Sequence, residues 1–136
     1  MNLTKNLLVP KQFYFWAALL WTGIVVFLCL VGSNEIPVVQ VSNIDKIVHS
    51  IFYFVFNSLW FLFFKKQFSN SNISKALVVS FLLSVLFGIG IEIMQVFFTT
   101  TRQGDVMDVL ANTSGAVLAV IAILLYRKAI SSDKIK

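Results

Sequence analysis

Charge is what this sequence has least of. Only 12% of its 136 residues are charged and 58% are apolar, whereas a soluble domain runs about 25% charged. So sparse a polar complement cannot cover a soluble domain this small, whose surface-to-volume ratio is at its worst. Cysteine is equally scarce. Cys29 stands alone, which excludes a disulfide scaffold. Disorder is excluded by the same composition, because it requires low hydrophobicity and high net charge. The sequence shows no internal repeat and no low-complexity tract. What it does have is 14 Phe residues spread along the chain instead of gathered in one core segment. These features together describe a membrane protein.

A bilayer core of about 30 Å is crossed by roughly 20 mostly apolar helical residues. Four stretches qualify: Phe13–Val31, Ile47–Phe64, Ala76–Phe98 and Val106–Tyr126. They define a single all-α domain over residues 1–136, a bundle of four transmembrane helices at about 13–31, 46–64, 75–98 and 106–126. Short tails and connections take up the rest, leaving no room for a separate soluble domain. The first apolar stretch is longer than the 7–15 residues of a signal-peptide core. The Val-Phe-Leu before Cys29 also lacks the small side chains of a lipoprotein processing site, so the first stretch is read as a retained span.

Lys and Arg in short loops set orientation. Nine of the eleven lie in the N-terminal tail (Lys5, Lys11), the second connection (Lys65, Lys66, Lys75) and the C-terminal tail (Arg127, Lys128, Lys134, Lys136). Only Lys46 and Arg102 fall in the first and third connections. The expectation is a protein of the cytoplasmic membrane with both termini inside. The net charge of +5 follows from this bias. It does not imply nucleic-acid binding, which needs a basic face on a soluble element.

The remaining polar residues converge. Asp45, His49, Tyr53 and Asn57 are spaced by four along the second span, and so form one drifting stripe. Glu92 and Gln95 are i, i+3 neighbours on the third span, with Ser84 and Gly88 continuing the Glu92 stripe. Asp105, Asp108 and Asn112 open the fourth. At 1.5 Å rise per residue, His49, Glu92, Gln95, Asp108 and Asn112 all fall within about 10 Å of the outer interface. Several have ordinary structural readings. Asp105 and Asp108 sit where a helix N-cap and its partner would be, and Asp45 is a plausible first-turn acid. Gly88, Gly90, Gly115 and Ala119 read as small residues that let helices approach. The Trp residues read as span-end anchors or packing residues. Glu92 differs, because a carboxylate inside an apolar span is costly and is functional by default. A carboxylate facing His49 would hold its tautomer.

Taken in order, Asp45-Lys46, His49 and Tyr53, then Glu92-x-x-Gln95, then Arg102-x-x-Asp105-x-x-Asp108-x-x-x-Asn112-x-x-Gly115 resemble the VanZ-like membrane proteins. The resemblance covers roughly residues 15–125, with Ala119 standing where that pattern often has a further Gly. It implies an integral membrane helical fold. It also implies a connection with resistance to glycopeptide antibiotics, teicoplanin in particular, for which the family is named.

An outward-facing polar pocket walled by three helices suits a lipid headgroup. Lys46, Arg102 and the outward helix N-termini would hold an anion such as phosphate at the rim. Beneath it, His49, Glu92 and Asp108 are the candidate acid–base residues. The expected ligand set is Asp45, Lys46, His49, Tyr53, Glu92, Gln95, Arg102, Asp105, Asp108 and Asn112. The expected partners are membrane lipids, including a lipid-linked cell-wall precursor. The alternatives are an acid–base enzyme acting on a phosphorylated lipid, a proton- or ion-coupled transporter, and a structural assembly factor. No Ser or Cys nucleophile is convincingly placed. A metal site from His49, Glu92, Asp105 and Asp108 has oxygen-rich ligands but no spacing signature, so neither metal nor cofactor is assigned.

Overall fold

A computed structural model describes residues 10–31, 44–68, 72–99 and 105–133 of the chain. These form four helices in sequence order: α1 (Lys11–Leu30), α2 (Ile44–Gln67), α3 (Ile73–Phe98) and α4 (Val106–Asp133). All four are long and apolar enough to cross a membrane, and no strand occurs among the described residues. A helix satisfies its own backbone polar groups, which is what hydrocarbon surroundings demand. Relative to the hydropathy-based spans, α2 and α4 continue through their charged ends, α4 as far as Asp133.

The bundle is apolar outside and partly polar within. Only 17% to 33% of the residues in each helix's most apolar window are buried. Phe97, Leu86, Trp16 and Leu125 are among the large apolar side chains left on the outside, as expected of helices bathed in lipid. The buried stripe of α3 runs Ala76, Ser80, Ser84, Gly88, Glu92 and Gln95. These lie three or four residues apart and so share one helix face. The corresponding stripe of α2 is His49, Tyr53, Phe56, Asn57 and Phe61.

Small residues set the helix crossings. α2 and α4 share the most extensive contact, and Gly115 is where they meet. A Cβ there would overlap the backbone carbonyl of Ser50. Ala116 and Ala119 continue the close-packed face of α4. Gly88 lets α3 in, since its Cβ position is 3.3 Å from the Tyr53 ring and 3.4 Å from Asn112. Gly90, by contrast, faces nothing within 4 Å, so the close-approach expectation holds at Gly88 and Gly115 but not there. α1 lies against α2 and touches α3. Val25 and Cys29 pack with Tyr53 and Ile91, and the Trp21 indole N–H donates to the Phe52 carbonyl at 3.0 Å. Trp21 is therefore a packing residue, while Trp16 lies on the outer surface.

Candidate functional site

The polar residues gather at one end of the bundle, where α2 and α4 begin and α3 finishes. Asp45 lies in the first turn of α2 and Asp108 in the first turn of α4, while Glu92 and Gln95 belong to the last two turns of α3. His49 is the centre. It is 2% exposed, and its Nδ1 lies 3.0 Å from the Asn112 side-chain oxygen. An amide oxygen can only accept, so Nδ1 is the donor in this contact. Nε2 faces Asp45 Oδ1 at 3.8 Å.

Glu92, 5% exposed, links α3 to the start of α4. Its Oε2 accepts the backbone N–H of Asp105 at 3.3 Å, which satisfies one of the donors a helix start leaves open. Asp105 in turn accepts the Met107 N–H at 2.8 Å, the geometry of an N-cap. Its structural reading is thus realised, and the same carboxylate also faces Lys46. The Lys46 ammonium stands 3.6 Å from Asp105 and 3.8 Å from Asp108. All these side chains are half exposed except Asp108, which is buried.

Gln95 reaches away from the cluster, donating to the Cys29 carbonyl of α1 at 2.9 Å. It fastens α1 to α3. The expected ligand role for Gln95 thus meets a side chain already engaged in packing. Its backbone acceptor leaves no trace in the sequence pattern. Tyr53 is wholly buried one turn below His49, and its hydroxyl has no hydrogen-bond partner. Arg102 lies outside the described residues.

Below Tyr53 the polar character continues further than the spacing alone suggests. Asn57 is fully buried, and the Ser84 hydroxyl contacts its side-chain oxygen at 3.2 Å while bonding the Ser80 carbonyl at 2.8 Å. A column of buried polar groups therefore descends from His49 into the bundle between α2 and α3. The four-residue steps from Glu92 back to Ser80 were the signal for it. Five buried side-chain atoms lack a hydrogen-bond partner among the described residues: Tyr53 Oη, Asn57 Nδ2, Glu92 Oε1, Asp108 Oδ1 and Asn112 Nδ2. Unsatisfied buried polar atoms are uncommon, and each calls for an explanation. Here three belong to the α2 and α3 column, and Asp108 and Asn112 come from α4.

At the opposite end a cavity of about 640 Å³ opens between α2 and α4, lined by Phe61, Leu62, Lys65, Ala119, Tyr126 and Arg127 among others. It shares no residue with the polar cluster. Lys11, Lys66 and Lys75 belong to this same end. Lys11 reaches Gln67, Lys66 lies over the Tyr14 ring, and Lys75 lies over the Phe68 ring.

The chain matches a family model described as VanZ/LLP1 over residues 4–127. No curated protein and no solved structure matches it.

Proposed function

The chain belongs to the VanZ-like family, and from that premise we propose that its polar cluster recognises the headgroup of a phosphorylated envelope lipid or lipid-linked cell-wall precursor. The supporting observation is the convergence of His49, Glu92, Asp108 and Asn112, all buried, at one end of a bundle whose outer surface is apolar. A headgroup lies at that level, with its chains along the exposed faces. Lys46, half exposed beside Asp105, is the described cation positioned to meet a phosphate. The bias of Lys and Arg toward the other end supports a reading with that end in the cytoplasm and the cluster on the outer side of the cytoplasmic membrane. Binding cell-wall precursors there would restrict glycopeptide access to them, a route to teicoplanin resistance.

Native mass spectrometry of the protein purified in mild detergent tests this. The wild type should carry a phosphorylated lipid that a Glu92→Gln variant loses. Equal, nonspecific lipid on both would refute headgroup recognition. Sidedness has a separate test in a Cys29→Ser background. A cysteine placed at Gln103 should react with an impermeant reagent on intact cells, whereas one at Asn70 should need permeabilised cells.

A second reading, an acid–base enzyme acting on the same lipid, is favoured by one observation. His49 has one nitrogen held by Asn112 and the other directed at a carboxylate, an arrangement suited to proton transfer. Turnover of the bound lipid by the wild type and not by His49→Ala would establish it.

A further inference from the structure

Asp45 and His49 are one turn apart on α2, and Asp108 comes from the first turn of α4. One ligand atom from each lies within 4.8 Å of the other two. We propose that these three residues bind a divalent transition-metal ion of the zinc type. Along the chain they have no ligand-spacing signature, because the third ligand arrives 59 positions after the second. The fold supplies what the spacing lacks.

Three features of the structure carry this. The first is the orientation of His49. Its Nδ1 is held by the Asn112 amide oxygen at 3.0 Å, which leaves Nε2 as the ring nitrogen directed at the carboxylates. A metal-binding imidazole characteristically gives its other N–H to such an outer partner. The second is an unsatisfied buried carboxylate. Asp108 Oδ1 is buried with no hydrogen bond among the described residues. Glu92 Oε1 is likewise buried and unpartnered, within electrostatic reach of Asp108 and His49. Electron-pair donors converge there, and a cation is what such a set accommodates. The third is rigidity. Ser50, next to His49, and Gly115, three residues beyond Asn112, meet backbone to backbone, so the two ligand-bearing helices are held in fixed register.

Lys46 is the only cation at this end among the described residues, and it approaches Asp108 only to 3.8 Å. Its half-exposed side chain also contacts Asp105, so it can remain there when an ion takes Asp108. Tetrahedral bonds of about 2.1 Å put ligand atoms about 3.4 Å apart. The 4.8 Å span must therefore close by up to about 1.4 Å when an ion binds. One imidazole with two carboxylates favours zinc over calcium or magnesium. Three protein ligands leave a fourth position for water or for an oxygen of a bound molecule.

The inference stands on ligand geometry and does not need the headgroup reading. Its test uses the full chain, tag removed, delipidated in detergent, stripped with chelator and titrated with zinc chloride under calorimetry, with elemental analysis. One zinc per chain is expected, with Tm rising with zinc concentration. Cobalt substitution should give tetrahedral absorption bands. Binding should weaken at least tenfold in His49→Ala and Asp108→Asn, and stay unchanged in Ser84→Ala. Asp45→Asn, at an exposed position, should also weaken it at least tenfold. Substoichiometric zinc in the wild type, or undiminished binding in Asp45→Asn, would overturn the proposal. Lipid loss in Glu92→Gln is read independently of either result.

Discussion

The bundle's two ends treat charge in opposite ways. At one end, carboxylates from α2, α3 and α4 crowd around a buried histidine, and Glu92 and Asp108 are themselves buried. At the other, Lys65, Lys66, Lys75, Arg127 and Lys128 are all at least partly exposed, and the contacts of Lys66 and Lys75 are with aromatic rings. Cations at the surface can serve orientation without any defined geometry, since the positive-inside effect depends on their number and loop. Buried acids cannot be so casual. Each must find a hydrogen bond or a counter-charge or bear a heavy desolvation cost. Geometry is thus built at one end, and only charge is counted at the other.

This contrast can be broken in several places. The largest effect should come from Gly115→Val, which pushes a side chain into the Ser50 backbone and parts the helices that hold His49 and Asn112. A destabilisation of about 3 kcal/mol or more is expected, since a backbone clash cannot be relieved by a rotamer. Size-exclusion profiles should show loss of monodisperse protein. Next comes Asn112→Leu, which removes the partner of a buried imidazole. It should cost about 1–3 kcal/mol, seen as a lower Tm in detergent. Ser84→Ala, removing the contact to Asn57, should cost about 1 kcal/mol. Lys46→Met should change stability by less than about 1 kcal/mol, because its ion pairs are half exposed and screened. Smallest of all, Lys65→Gln with Lys66→Gln should leave stability within about 0.5 kcal/mol of wild type, while raising the fraction of inverted molecules in the cysteine-labelling assay. A large stability loss in that last pair would show that the basic end is built as carefully as the acidic one.

Four membrane-crossing helices were legible because hydropathy needs only local sequence. The members of the cluster were legible for a related reason. Four-residue spacing puts Asp45, His49, Tyr53 and Asn57 on one helical stripe whatever the neighbours do. The partnerships were not legible, because they depend on how each helix is rotated against the next. That rotation separates Gly115, pressed against Ser50, from Gly90, which faces open space. It also sends Gln95 to a carbonyl of α1, a helix with no ionisable side chain inside its span to announce a connection. The downward extension through Ser84 and Ser80 was faint for a different reason. Serine is common in packed membrane helices, and only its bond to Asn57 distinguishes this one.

The contact between His49 and Asn112 also has a consequence for biogenesis. The chain is synthesised from its N-terminus, so α2 and α3 enter the membrane before α4 exists. Until then His49 lacks Asn112, Glu92 lacks the Asp105 N–H, and the column between them stands exposed to lipid or to the insertion machinery. The last helix to be made completes the polar interior. A chain stopped after α3 would keep three of its four spans and display its most polar groups, giving cellular quality control a direct mark of incompleteness.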